Sequence, residues 1–268
     1  MNFKLKAISK KKWFYPLIYF LLFLISSFVP HYTSTGYSYF EEGGKVIVSV
    51  MSVGLETYRP FSPFFHIATI LLLIAIWRSG NRFRRIFSLY IGLNLIFIAI
   101  AQCTGKTEQF GFVVMTGTLI ICVLLGLLWL LESLNPKTDL RFKRLPLFRY
   151  WVIPLAFISF WWPMGNDLQP DFNPVLLLTS LYGIGGCATI PIIVCLLTLF
   201  YPKINEPVYK ITSFVGVIYG FWNMFSLIKP HTRWLGILHI PLLLISIYAL
   251  ILPKIVDTNS KNISFEES

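Results

Sequence analysis

Four histidines are the side chains in this sequence best suited to chemistry: His31, His66, His231 and His239. A neutral imidazole ligates metals, so paired histidines held at one depth suit a haem or a copper ion. His66 precedes Arg78 by twelve residues and His239 precedes Lys254 by fifteen. At about 1.5 Å per helical residue, both stand roughly 18–22 Å from the basic residue that closes their apolar run. Matched depth makes His66 and His239 the candidate metal or haem pair, with His31 and His231 as completing ligands. The plainer reading is four helix-end side chains bonded to their neighbours, with no cofactor at all. Cys103, Arg233 and His239 fall on one expected side, which sketches a Cys–His nucleophile pair. No HExxH, GxSxG or phosphate-loop pattern accompanies it, so the sequence favours no enzymatic activity.

A second group could carry a solute rather than react with one. The stretch Gly183-Ile-Gly-Gly-Cys-Ala188 is followed by Pro191, and Gly216-Val-Ile-Tyr-Gly220 and Asn223 lie in the next apolar run. Glycine lowers helix propensity and proline removes a backbone donor. A helix broken in this way can line a binding site with freed backbone groups, as discontinuous helices do in transporters. Gly183, Gly185, Gly186, Pro191, Gly216, Gly220 and Asn223 are therefore the candidate substrate path. The structural reading of the same residues is close packing of the sixth apolar segment on the seventh. The other polar side chains at depth (Asn94, Thr116, Thr118, Thr179, Ser180) suit hydrogen bonding between helices. No Asp, Glu, Lys or Arg falls in the middle of an apolar run, which argues against a proton-coupled pump.

The elements that must position these residues are apolar and long. Of 268 residues, 56% are hydrophobic and only 13% charged, about half the charge of an ordinary soluble domain. The expected fold is all-α: a polytopic integral membrane bundle of eight transmembrane helices, near 13–29, 60–77, 86–102, 112–131, 147–163, 175–201, 211–228 and 234–252. Together they form one transmembrane domain with a polar cytoplasmic tail at 253–268. The first segment follows a lysine-rich start, Lys4 to Lys12, and reads as an uncleaved span, being long and lacking a small-x-small cleavage site. A short helix at 46–55, with Val46, Val50 and Val53 on one side, suits the interface. The fifth segment is the weakest, since Arg149 sits in its first turn and has to reach back to the headgroups.

Orientation follows from Arg78, Arg82, Arg84 and Arg85, which crowd one short loop between two apolar runs. Loops rich in Lys and Arg stay cytoplasmic. With both termini cytoplasmic in a plasma membrane, 18 of the 23 Lys and Arg fall inside and five outside. The net charge of +11 is thereby spent on orientation and on anionic lipid headgroups, not on nucleic acid, for which no basic groove or aromatic-basic motif is present. Cys103, Cys122, Cys187 and Cys195 form no CxxC pair, which speaks against a disulfide framework or a zinc site. A shift of 125 residues lays Arg85 on Lys210, Ser88 on Ser213, Thr107 on Thr232 and Gly111 on Gly236. This suggests a four-plus-four parallel repeat, against the chance that apolar segments align cheaply.

Three functions are compatible with these features. The first is a facilitator or permease-type component for a small or amphipathic solute. The second is a non-catalytic scaffold or accessory subunit with a membrane partner or a second copy. The third is an outer-face metal or haem redox protein using His66 and His239.

Overall fold

The fold was obtained as a computed structural model describing residues 11–142 and 145–266, with the backbone alone past residue 256. Lys4, Lys6, Lys10, Lys143 and Arg144, on which part of the charge argument rests, lie outside the described residues. A backbone surrounded by apolar side chains must satisfy its own N–H and C=O groups, and a helix does so within one segment. The chain is accordingly mostly helical, at 73%. In order the helices are α1 (Phe14–Phe28), α2 (Tyr39–Tyr58), α3 (Ser62–Ser79), α4 (Arg84–Ala101), α5 (Thr116–Leu134), α6 (Val152–Trp161), α7 (Leu176–Thr179), α8 (Gly186–Phe200), α9 (Glu206–Asn223) and α10 (Arg233–Glu266).

By length and composition, three helical stretches could cross a membrane: Tyr39–Ala101, in which 3-10 turns join α2, α3 and α4, then Thr116–Leu134 and Pro230–Val256. Phe14–Phe28, Leu147–Trp161 and Gly186–Phe200 are apolar but shorter.

The chain is not all-α. Three strands, β1 (Tyr32–Thr33), β2 (Thr104–Thr107) and β3 (Gly111–Val114), form a small antiparallel sheet in the order β1-β3-β2. The hairpin turns at Gly111, whose φ of +62° is open to glycine at no steric cost. Phe112, Val113 and Val114 extend the apolar run of α5 in sequence, yet pair as strand, so α5 begins four residues later than expected. The short helix expected at 46–55 is 20 residues long and lies on this sheet, burying Val46, Val50 and Gly54. Beneath it Val46 and Val50 join Cys103, Phe110, Val113 and Met115 in a separate core.

Two further boundaries depart from the hydropathy pattern. The fifth segment divides into a 3-10 turn, Leu147–Arg149, and the ten-residue α6. The tail expected to be loose continues α10 as far as Glu266.

The main core runs through α1, α3 to α6 and α8 to α10, with Trp129, Leu95, Ile121, Leu197 and Tyr209 fully buried. Tight crossings hold two helix pairs together. Gly92 of α4 faces Gly126 of α5, and a Cβ on either would stand 3.0 Å from the other's carbonyl oxygen. Gly216 and Gly220 of α9 face Ser246 and Leu243 of α10. The expected 216–220 contact therefore binds the seventh segment to the eighth, not to the sixth. The connectors also differ: a β-hairpin links α4 to α5, whereas 3-10 turns at Met224–Leu227 and Pro230–Thr232 link α9 to α10.

Loops gather at two ends. At one, Asn81 accepts from the Leu140 N–H at 2.6 Å, and the Asp139 N–H donates to the Lys203 carbonyl at 2.7 Å. Glu132 is 2% exposed there. Its carboxylate accepts from the Lys137 and Thr138 backbones, from the Thr138 hydroxyl and from the Asn205 amide. Arg78, Arg82, Arg84 and Arg85 flank Asn81 at this end, on the last residues of α3, the 3-10 turn and the start of α4. At the other end lie the sheet, the Arg59 guanidinium bonded to Asn166, and the Trp234 indole donating to the Pro163 carbonyl at 2.7 Å.

Candidate functional site at the interrupted helix before α8

The sixth apolar segment is not one helix. After the single turn of α7, residues 180–185 leave helical geometry, and α8 restarts at Gly186. The cause is local. Gly183 adopts φ +81°, and a Cβ there would come within 2.2 Å of the Phe65 Cβ. Only glycine fits both the conformation and the space.

Backbone groups released by the break are met by side chains at α4 and in α8 itself. Asn94 of α4 donates to the Gly183 carbonyl at 2.6 Å. The Gly183 N–H donates to the Thr189 hydroxyl at 2.9 Å, which in turn donates to the Gly185 carbonyl at 2.8 Å. Gln102, just past the end of α4, accepts from the Gly186 N–H at 2.7 Å. The break is thus held by three polar side chains, not merely tolerated.

His66 joins the same node. It is fully buried, with Nδ1 2.9 Å from the Ser62 carbonyl oxygen and Nε2 3.1 Å from the Ser180 hydroxyl. Each ring nitrogen faces a carbonyl oxygen, Ser62 at Nδ1 and Phe160, 3.3 Å away, at Nε2, and the Ser180 hydroxyl donates to the same Phe160 carbonyl at 3.1 Å. The Ser62 hydroxyl donates to the Ser180 carbonyl, tying the first turn of α3 to the end of α7. One turn deeper, the Thr69 hydroxyl lies 2.8 Å from that of Tyr90 and 2.7 Å from that of Tyr182. A cavity of about 20 Å³ opens beside these three residues, which is room for one water molecule.

Ser62, His66 and Thr69 share one face of α3 at spacings of four and three, and Asn94 and Gln102 share one face of α4. That polar stripe on an apolar helix was the available signal for Ser62, Thr69 and Gln102, which hydropathy alone passes over. Gly183, Gly185, Gly186 and Pro191 belong to the break or to the helix that follows it. Asn223 approaches from α9, where its amide donates to the Tyr219 carbonyl at 2.8 Å and reaches Cys187 Sγ at 4.0 Å. Gly216 and Gly220 stand apart, on the α9–α10 contact.

The four histidines do not form one site. His66 lies edge-on to Phe160, with ring centroids 4.7 Å apart, whereas His239 lies edge-on to Trp162 at 5.2 Å and places Nδ1 2.7 Å from the Leu235 carbonyl oxygen. His31 stacks near Tyr37, and His231 sits on an exposed 3-10 turn, its carbonyl bonded by Gln169. Both nitrogens of His66 are occupied by protein partners, and among the described residues no three His, Cys, Asp or Glu side chains gather as a metal site requires. The donor set does not fit a haem or copper centre. Nor does a Cys–His pair form: Cys103 is buried under α2 with Val46 and Val50, while the neighbours of His239 are Trp162 and Leu235.

Comparison of the chain with protein-family models, with curated proteins and with solved structures finds no match.

Proposed function

We propose that the chain is a multi-pass protein of the plasma membrane, of facilitator or permease type, in which a small or amphipathic solute passes the interrupted helix before α8. The observation that carries this reading is the buried polar node itself. An irregular backbone deep among apolar helices is tolerated where it is buried in protein or lines a solute path. This one brings an imidazole, amides and hydroxyls to a single break. Such groups recognise a solute that offers hydrogen bonds without net charge, in keeping with apolar runs that lack charge at mid-length.

A membrane setting is supported by the outward apolar surface, where Phe64 is 65%, Leu71 61% and Trp77 70% exposed. Side chains of this size rarely form so broad an exposed band in water. Loops meeting alternately at two ends, with the arginine cluster at one, support eight spans and cytoplasmic termini. Reporter fusions after Asn81 and after Lys106 test this, since both reporters on one side would refute the topology. Adjacent packing of α4 with α5 and of α9 with α10 supports the four-plus-four repeat. A different helix order in two halves of an experimental structure would remove it.

The transport test is osmotic swelling of proteoliposomes with a panel of neutral polar solutes. Flux of at least one solute above protein-free vesicles is expected, lowered several-fold by His66→Leu and Ser180→Ala while insertion is retained. Flux that both variants leave unchanged would refute the assignment. The second reading, a scaffold or accessory subunit, is favoured by the fact that Asn94, Gln102 and Thr189 already meet the freed backbone groups. It predicts no flux for any solute and a membrane partner, or a second copy, that co-purifies in mild detergent.

A further inference from the structure

At the end of the bundle opposite the sheet, a cavity of about 280 Å³ lies between the segment leading into α6 and the turn after α8. Three cations, Arg141, Arg149 and Lys203, line it together with one carboxylate, Asp139. Their charges are unequally spent. Arg141 grips Asp139 with two parallel bonds, Nη2 to Oδ2 at 2.8 Å and Nε to Oδ1 at 3.0 Å. Those bonds hold the Asp139 carboxyl well below the usual carboxylate range, so the pair is neutral as a unit. Lys203 is exposed and makes no ion pair among the described residues.

Arg149 is the unusual member. Instead of reaching outward to the headgroups, it is 5% exposed, and Nη1 donates to the Tyr201 carbonyl at 2.6 Å. The guanidinium lies 5.9 Å from the Tyr201 ring centroid. Its Nε is buried and meets no acceptor among the described residues. A buried guanidinium is retained where it is paired, and its planar edge presents two N–H groups to two oxygens at once.

We propose that this cavity binds a phosphate-type oxyanion held by Arg149 and Lys203, borne either by an anionic lipid headgroup or as inorganic phosphate. Arg149 supplies the fixed donor that lacks an acceptor, and Lys203 supplies a mobile charge at the mouth. The Arg141–Asp139 pair walls one side without competing for the ligand. The site stands on this geometry alone and does not depend on solute passage at the interrupted helix.

The test uses the full chain in mild detergent and follows its melting temperature. The probes are inorganic phosphate against chloride at equal ionic strength, and short-chain phosphatidylglycerol against a diacylglycerol lacking the phosphate. A saturable rise is expected. Lys203→Gln, which removes an exposed side chain and leaves the core intact, should weaken the apparent affinity about tenfold, as loss of one charge-assisted contact does. Arg149→Lys keeps the charge, loses the fork and should weaken binding at least as much. A rise with both probes assigns the site to the phosphate group itself, a rise with phosphatidylglycerol alone to a lipid headgroup, and a rise with phosphate alone to the free anion. No rise with either probe, or a rise that Lys203→Gln leaves unchanged, overturns the proposal.

Discussion

Asn94 and Gly183, 89 residues apart in sequence, are joined by a 2.6 Å hydrogen bond from the side-chain amide to the backbone carbonyl. Asn94 is 3% exposed, so water cannot take its place. Removing the amide with Asn94→Leu strands a buried carbonyl, at a cost of about 1–3 kcal/mol. Gly183→Ala adds an unfavourable φ to a clash with Phe65 and should cost about 3 kcal/mol or more. Melting temperatures in detergent decide both. A Gly183→Ala protein as stable as the parent would mean that the break is not set by that residue.

Glu132 gives a second prediction. Its carboxylate accepts four hydrogen bonds from two separate loops. Glu132→Ala should lower stability by about 3 kcal/mol and open the loops near residues 137 and 205 to added protease together. Cleavage at one loop alone would show that the carboxylate does not couple them.

The glycines can be ranked. Gly220→Ala puts a Cβ 2.9 Å from the Leu243 Cα, against backbone that cannot swing aside, and should cost about 1–3 kcal/mol. Gly186→Ala meets nothing nearer than Gln102 Oε1 at 3.5 Å. Placed at the start of a helix, it should be neutral or slightly stabilising. The reverse order in thermal melts would refute the α9–α10 contact as described.

His31, beside the sheet, has an acid-side signature. Burial lowers its pKa, and its Nδ1 is buried without a partner among the described residues. The folded state therefore binds this proton less readily than the unfolded chain. Stability present above the ordinary imidazole value of about 6.5 is lost as pH falls below it. His31→Gln should flatten the fall in melting temperature between neutral and mildly acidic pH. Equal slopes for parent and variant would count against the burial account.

Much of the helical framework was legible in the sequence, because apolar runs bounded by Pro, Gly and arginine leave the backbone little choice. The arginine loop was legible too, and Asn81 and Leu140 bring it against the second basic loop. What escaped were features that hydropathy averages away. Gly183 to Ala188 and Pro191 signalled a break within residues 175–201, but not that Asn94 and Gln102 would meet its freed backbone groups. Phe112 to Val114 are apolar enough to be counted with α5, although their partners are Thr104 to Lys106 and Tyr32 to Thr33. His66 was picked out without its partners. Its partners at Phe160 and Ser180 stand 94 and 114 residues away, beyond any periodicity a single sequence displays. The spacing of Gly216 and Gly220 announced a close approach, but the helix approached is α10 and not the expected sixth segment.

The pairing of Tyr32 with Val114 also has a consequence for how the molecule is made. The strand that follows α1 cannot find its neighbour until 82 further residues have been synthesised, because β3 ends at Val114. At about 5–20 residues per second, that is a wait of roughly 4–16 s. Through that interval α1 is present without the strand pairing that anchors its exit. Any assistance the nascent chain receives therefore falls due early, before the fifth helix has begun.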